Sequence, residues 1–246
     1  MSKSPNYVLP VIISKTSARR LPPSVQLDGL DILLEVLPPK DWLPANFSTI
    51  VGDIKMNAPE HLLGIYDIVH ISHLTFGLID EEVQSVLNKV MKLLKPGSYL
   101  QWSEVDMGSF RVETTNNPYT TPEEHQPETR PTTATALERL FRLSEGHDPR
   151  LQPRWVPQLS SKLSAAGYLA IRSDIRDAPG DLALALHDCN LIINASFARR
   201  FAVTEPLAQP LAQLMLEAER ETLDGACWAF TRYTIVGRNQ RDQRDN

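Results

Sequence analysis

The chain has 246 residues, of which 42% are hydrophobic and 22% charged, and its formal net charge at pH 7 is -5. This length and composition are typical of a folded domain with a substantial core, and they exclude wholesale disorder. The negative charge and the lack of any run of Lys or Arg argue against nucleic acid as the main partner, because phosphate binding needs a basic patch. We therefore expect one domain over residues 1–246.

Neither cysteine, Cys189 or Cys227, lies in a C-x-x-C spacing, which indicates two reduced thiols in a cytoplasmic protein. The apolar run 7–13 contains Pro10 and is too short for a membrane span or a signal peptide. The histidines show no metal-ligand spacing with one another or with the cysteines. We expect a cytoplasmic protein with no metal site and no membrane partner.

The order of apolar runs and helical periodicities predicts an alternation of strands and helices along the chain. The predicted strands are 7–13, 25–32, 47–54, 66–70, 99–104, 168–175 and 228–237. The predicted helices are 14–21, 80–94, 136–143, 156–166, 182–202 and 206–222. This alternation predicts an α/β fold with a mostly parallel sheet and helices on both faces.

The most clearly amphipathic helix is 80–94, with Asp80 placed to cap it and Pro96-Gly97 placed to end it. From Met107 to Thr135 the composition changes to Thr, Pro, Asn and Glu, which predicts an irregular, flexible flap. Together with the cap helices that follow, this flap makes up residues 107–167 of the single predicted domain.

Polar side chains follow two neighbouring strands of the predicted sheet. His70 ends the fourth strand and His73 follows it, while Trp102 lies near the end of the fifth strand and Glu104 ends it. Ligands of open α/β sheets bind at the carboxyl ends of the parallel strands. These residues therefore predict a ligand site, although partly buried histidines, a core tryptophan and a solvated loop carboxylate remain the alternative.

Several segments resemble, in their order and spacing, class I S-adenosylmethionine-dependent methyltransferases of fungal secondary metabolism. These segments are 27–32, 37–46, 66–70, 93–102 and, for the final strand, 230–237. They cover most of residues 18–238. The resemblance implies a Rossmann-like class I methyltransferase fold, here with a truncated or atypical first strand and helix.

The resemblance also implies a binding site for the cofactor S-adenosyl-L-methionine. Asp31 matches the carboxylate that holds the ribose hydroxyls in that family, with Ile32 beside it. Asp53 matches the residue that meets the adenine amino group, and Ile54 would contact the ring. His70 would lie next to the methionine end. Helix capping by Asp31 and turn formation by Asp53 are the alternatives.

Methyl transfer from a sulfonium requires alignment of the acceptor, exclusion of water and, for some acceptors, removal of a proton. His70, His73 and Glu104 are the candidate catalytic residues for that last task. Trp102 is a candidate wall of the substrate pocket.

The sequence departs from the family at its start, where a glycine-rich loop of the G-x-G-x-G type is expected. No glycine precedes Gly29, and the family's amino-terminal helices have no counterpart. Three functions follow as alternatives: a methyltransferase acting on a small-molecule secondary metabolite, a cofactor-degenerate homologue catalysing a cyclisation or isomerisation, or a non-catalytic partner protein. A homo- or hetero-oligomer is compatible with each of them.

Overall fold

The computed structural model describes residues 6–9, 21–32, 39–114, 134–145, 153–201 and 208–240. Within these ranges a seven-stranded sheet has the strand order β3-β2-β1-β4-β5-β7-β6. The strands are β1 (Asn6–Leu9), β2 (Gln26–Asp31), β3 (Phe47–Val51), β4 (Tyr66–Ser72), β5 (Leu94–Thr114), β6 (Tyr168–Asp177) and β7 (Ala226–Asn239). Each predicted strand has a counterpart in the sheet, but β3 ends at Val51 and not at residue 54 as predicted. Residues 10–13 of the first predicted strand lie outside the described ranges.

Five α-helices and three short 3-10 helices flank the strands in the described part of the chain. The α-helices are α1 (Asp80–Leu93), α2 (Ala136–Glu145), α3 (Leu159–Ala165), α4 (Gly180–Phe201) and α5 (Ala208–Leu223). The 3-10 helices are Lys40–Trp42, Glu60–Leu62 and Val156–Gln158. The predicted helix 14–21 lies outside the described residues except for its last position.

Strand pairing places β1 at the centre of a parallel array. β1 pairs in parallel with β2 and β4, β2 pairs with β3, and β4 pairs with β5. The register pairs Asp31 with Val51 at the ends of β2 and β3, and Ser72 with Ser103 on β4 and β5. Because the strands are parallel, their carboxyl ends reach the same edge of the sheet, which confirms the predicted mostly parallel arrangement.

The chain divides into two compact units. The first comprises Met1–Val105, Pro153–Ile175 and Tyr233–Asn246, and the second comprises Asp106–Gln152 and Arg176–Arg232. In the first unit, α1 buries its apolar face in a core that includes Val69, Leu100 and Trp102. In the second, Phe110 stacks on Phe141 with ring centroids 3.9 Å apart. The prediction of a single domain is not tested by this division and stays a prediction.

Helix α1 differs from its predicted ends. Asp80 is the first helical residue rather than the cap, and the cap position is occupied by Ile79. The Glu82 carboxylate accepts the N–H of Ile79 at 3.0 Å, as a glutamate three residues after a cap residue commonly does. The helix dipole also favours an acidic residue in the first turn. The sequence therefore does not show whether Asp80 is the cap residue or the first helical residue.

The carboxyl end of α1 also differs, because the helix ends at Leu93 and Leu94 already begins β5. Pro96 and Gly97 therefore lie inside the strand instead of separating it from the helix. The irregular segment predicted from Met107 is wrong for its first residues, since β5 continues to Thr114. Residues 115–133 of the predicted flap lie outside the described ranges.

Contacts within the second unit explain this longer strand. The Ser109 hydroxyl accepts the N–H of Thr231 at 2.7 Å. Phe110 contributes to an aromatic cluster with Phe141, Trp228 and Phe230. Hydrogen bonding and packing of this kind override a local composition that is typical of loops.

Candidate functional site

The turn after β4 holds the predicted residue His73 in an unusual backbone conformation. His73 has φ of 60°, a left-handed value that is uncommon for residues other than glycine. Its side chain is exposed, in contrast to the buried strand residues that precede it. An exposed histidine in a strained conformation at the carboxyl end of a parallel strand is a feature that functional sites often show.

Glu104 on β5 is buried, with 4% of its surface exposed, and it accepts hydrogen bonds on both carboxylate oxygens. Oε1 accepts the N–H of Leu74 at 2.8 Å and the indole N–H of Trp102 at 2.8 Å. Oε2 accepts the hydroxyl of Thr75 at 2.6 Å and its N–H at 3.2 Å. Glu104 is therefore not the solvated loop carboxylate that the sequence left as an alternative.

The environment of Glu104 acts on its pKa in two directions. Burial raises the pKa of Glu104, because a charged carboxylate loses solvation in the protein interior. The hydrogen bonds from Thr75, Leu74 and Trp102 oppose that shift, and so does the charge of His73.

His70 contributes a buried nitrogen without a partner among the described residues. Its Nε2 atom is inaccessible to solvent and makes no hydrogen bond there, and the same is true of the Ser72 hydroxyl. Burial lowers the pKa of His70 to about 4, and the charge of His73 adds to the shift. His70 is therefore neutral at neutral pH, with one ring nitrogen available as an acceptor.

Asp31 and Ile32 lie at the end of β2, as predicted. The Asp31 side chain is half-buried, and its backbone carbonyl accepts the N–H of Gly52 at 3.0 Å. Ile32 is 63% exposed, which leaves an apolar surface beside the carboxylate. Residues 33–38 lie outside the described ranges, so the alternative in which Asp31 caps a helix is not tested.

Asp53 and Ile54 follow β3, and each has a structural contact. One oxygen of the exposed Asp53 carboxylate accepts the N–H of Lys55 at 2.8 Å, so the turn predicted as the alternative is present. Ile54 is partly buried against the core of the first unit. Lys55 forms an ion pair with Glu82 at 2.9 Å, which ties this turn to α1. The adenine contacts of Asp53 and Ile54 stay predictions.

Trp102 is fully buried, and its ring centroid lies 5.5 Å from that of Trp155. In this structure Trp102 is a core residue whose indole N–H donates to Glu104. A contact between Trp102 and substrate stays a prediction.

The structure thus brings His73, Glu104 and Trp102 together with two residues that the sequence did not single out, Leu74 and Thr75. The backbone N–H of Leu74 has no sequence signal, because every residue other than proline has one. The hydroxyl of Thr75, two residues after His73, is visible in the sequence, but composition alone does not distinguish it from the other threonines.

A cavity lies away from these residues, at the start of β2, with a volume of about 320 Å³. It is lined by Leu21, Pro23, Gln26, Ala45 and Asn46. None of the predicted site residues lines this cavity.

Two further features concern the described ranges, namely metal binding and membrane insertion. There, no group of three or more His, Cys, Asp or Glu side chains is arranged to hold a metal ion. Nor does any helix of those ranges combine the length and the apolar character needed to cross a membrane. The absence of a metal and the cytoplasmic location stay predictions.

Two curated proteins are similar to part of the chain, although no protein-family model matches it. Over 85 residues, 35% of its length, the chain is 37% identical to methyltransferase grgD of Penicillium sp. Over 83 residues, 34% of its length, it is 31% identical to N-methyltransferase verN of Clonostachys rogersoniana. Each match spans only 29% of the relative's own length.

Solved structures resemble the chain over nearly its whole length. One is the phosphoethanolamine N-methyltransferase 2 of Haemonchus contortus in complex with phosphomonomethylethanolamine and S-adenosylhomocysteine, with a TM-score of 0.51 and 11% identity over 98% of this chain and 50% of that chain. Another is the 4+2 cyclase SpnF, with a TM-score of 0.50 and 13% identity over 96% of this chain and 74% of that chain. At such identities the likeness shows the fold alone. The chain therefore has the Rossmann-like fold of class I methyltransferases, and 34–35% of its length is similar in sequence to two fungal methyltransferases.

Proposed function

We propose that the chain is an S-adenosylmethionine-dependent methyltransferase that acts on a small-molecule secondary metabolite. The observation that supports this most directly is the shared edge of the parallel sheet, where β2 ends at Asp31 and β4 ends at Ser72, two residues after His70. Ligands of this fold class bind at that edge. The names of the two fungal relatives favour methyl transfer over the other reactions that the fold supports.

Asp31, Ile32, Asp53, Ile54 and His70 are the residues proposed to hold S-adenosylmethionine. A carboxylate such as Asp31 suits a ribose, because it accepts hydrogen bonds from two neighbouring hydroxyls. The exposed Ile32 offers an apolar surface for a ring. Among the described residues the buried Nε2 of His70 has no hydrogen-bond partner, which supports a contact with a polar group of a ligand, since buried nitrogens are rarely left without a partner.

S-adenosylmethionine would supply an activated methyl group, so the protein's own task is alignment and the handling of one proton. We assign proton acceptance from the substrate to His73, because its side chain is exposed at the carboxyl end of β4. His70 is neutral at neutral pH and serves as a hydrogen-bonding group. Glu104 is engaged by four donors, and its part is considered in the next subsection.

Calorimetric titration with S-adenosylmethionine and S-adenosylhomocysteine tests the cofactor site directly. Binding is expected for the wild-type chain, and Asp31→Ala should weaken it at least about tenfold through the loss of a charged acceptor. Asp224→Ala, which removes an exposed aspartate in the second unit, is the matched control and should bind normally. A wild-type chain that binds neither compound would refute the proposal.

Methyl transfer is then measured with methyl-labelled S-adenosylmethionine and panels of small amines and phenols. Amines are tested first because verN is named an N-methyltransferase. Transfer to a member of either panel, and a rate that is about 100-fold lower but still measurable in His73→Gln, would support the assignment of His73. Full transfer by His73→Gln would show that another group accepts the proton.

A second candidate function follows from the absence of any glycine before Gly29. Without a glycine-rich loop, a homologue can keep its substrate pocket and use it for a cyclisation or isomerisation. The fold permits such chemistry, since SpnF is a 4+2 cyclase. A substrate converted without added cofactor would favour this candidate.

Light scattering tests the remaining alternative, a non-catalytic partner protein, because a chain that needs an obligatory partner is expected to behave poorly when it is isolated.

A further inference from the structure

We propose that Glu104 is a positioning residue, which fixes the turn after β4 and thereby presents His73 to the substrate. This inference rests on the proposed function, in which His73 accepts a proton. It assigns to Glu104 a task different from proton transfer, and it follows from the contacts of the turn.

Three of the four groups that donate to Glu104 belong to the two residues directly after His73. They are the N–H of Leu74, the N–H of Thr75 and the hydroxyl of Thr75. A single carboxylate on β5 therefore orders the chain where it leaves β4. Because these contacts begin at the next residue, they restrict the backbone on the carboxyl side of His73.

His73 itself needs such a restraint. Its φ of 60° is unfavourable for a residue with a Cβ atom, and such a conformation persists only when its surroundings determine it. The hydrogen bonds from the Leu74 and Thr75 amides to the Glu104 carboxylate hold the turn in this conformation. Without them, the turn is expected to relax and to move the imidazole of His73.

Glu104 is poorly placed to meet the substrate itself. It is 4% exposed, and each of its oxygens already accepts two hydrogen bonds. A carboxylate offers about four acceptor positions, so no position is left for a substrate proton.

The turn is tested first by hydrogen exchange on the full chain, which requires no substrate. In Glu104→Gln, the amides of Leu74 and Thr75 should exchange at least about tenfold faster, since the amide group of glutamine cannot accept at all four positions. Glu81→Gln, which neutralises an exposed carboxylate in the first turn of α1, is the matched control and should leave both amides unchanged. Unchanged exchange in Glu104→Gln would overturn the proposal, whether or not the chain proves to be a methyltransferase.

The action through His73 is tested by a double-mutant cycle on methyl transfer. Glu104→Gln should lower kcat about 10-fold or more, while the Kd of S-adenosylhomocysteine changes less than about threefold. In the His73→Gln background, Glu104→Gln should reduce kcat no further, because its effect is transmitted by the histidine. Independent, multiplicative losses would show that Glu104 does not act through His73.

If Glu104→Gln fails to fold, Thr75→Val replaces it in both experiments. This variant keeps the size of the side chain and removes only the hydroxyl that donates to Glu104 at 2.6 Å. As in Glu104→Gln, the Leu74 amide should exchange faster and kcat should fall. A wild-type chain without cofactor binding would refute the proposed function and leave the exchange experiment as the decisive test of the turn.

Discussion

The indole N–H of Trp102 donates to Oε1 of Glu104 over 2.8 Å, and both side chains are almost completely buried. Residues two apart on a strand share one face of the sheet, so β5 places the core aromatic and the carboxylate side by side. The hydrophobic core of the first unit is thereby joined to the turn that holds His73. Packing around Trp102 is expected to influence the proposed site through this single contact.

The two buried tryptophans allow this hydrogen bond to be measured. Trp102 and Trp155 are both fully buried in one core, but the N–H of Trp155 has no partner among the described residues. Trp102→Phe should therefore lower the free energy of unfolding by about 1–3 kcal/mol more than Trp155→Phe, because it leaves a buried acceptor of Glu104 with one donor fewer. Urea unfolding of the two variants gives the difference, and equal losses would contradict the prediction.

The lowered pKa of His70 predicts a pH dependence of stability. Between pH 6.5 and about 4 the unfolded chain binds a proton at His70 that the folded chain does not. The free energy of unfolding should therefore fall as the pH is lowered through this range, by at most about 1.4 kcal/mol per pH unit from this residue.

Urea unfolding of wild type and His70→Gln at pH 8, 6 and 5 separates this contribution from the others. At pH 8 the two proteins differ only by the packing of the new side chain. At lower pH the loss of stability should be smaller for His70→Gln, which has no proton to gain. Parallel pH profiles would show that His70 does not titrate as its burial implies.

Tyr66 and Asp28 form a second polar contact, between β4 and β2. The Tyr66 hydroxyl donates to Oδ2 of Asp28 at 2.9 Å, and the ring is fully buried. Burial raises the pKa of Tyr66, as do the hydrogen bond to Asp28 and the charge of that residue. Tyr66→Phe should lower the free energy of unfolding by about 1–3 kcal/mol.

Tyr99→Phe is the control for this variant, because Tyr99 is 44% exposed. Its effect should stay within about 0.5 kcal/mol, as is usual for surface substitutions. Thermal or urea unfolding compares the two. A similar, small effect of both substitutions would mean that the contact with Asp28 adds nothing to stability.

The sequence predicted the elements of this fold well because their periodicities are local. Val83, Val86, Leu87 and Val90 are buried on α1 as their helical spacing predicts. The composition of residues 107–135, in contrast, is dominated by loop-forming residue types, and it concealed the eight strand residues that end at Thr114. The packing of Phe110 against Phe141 decides that segment, and sequence composition carries no information on it.

The sequence predicted which side chains belong to the candidate site, but it did not predict the hydrogen bonds between them. His73 follows from its place after β4. Glu104 was predicted as the end of the fifth strand, but β5 continues past it to Thr114. The hydrogen bond between Glu104 and the Leu74 amide joins residues 30 apart through a backbone group. The contact of Tyr66 with Asp28 likewise joins residues 38 apart and depends on strand register. Such pairings require the register of a parallel sheet, which hydrophobic patterns alone do not determine.

Gly237 on β7 marks a close approach within the first unit that can be tested by one added methyl group. A Cβ atom there would lie 2.9 Å from Cδ2 of Leu163 and 3.0 Å from Cβ of Tyr168, both of which are buried. Gly237→Ala should lower the free energy of unfolding by about 1–3 kcal/mol, because the added methyl group overpacks a buried site and Cβ of Tyr168 can move only with its backbone. Gly180→Ala is the control, since no atom lies within 4 Å of its added Cβ, and it should be neutral or stabilise by up to about 1 kcal/mol. Urea unfolding measures both variants; a Gly237→Ala chain as stable as wild type would show that α3 and β6 yield to the methyl group without cost.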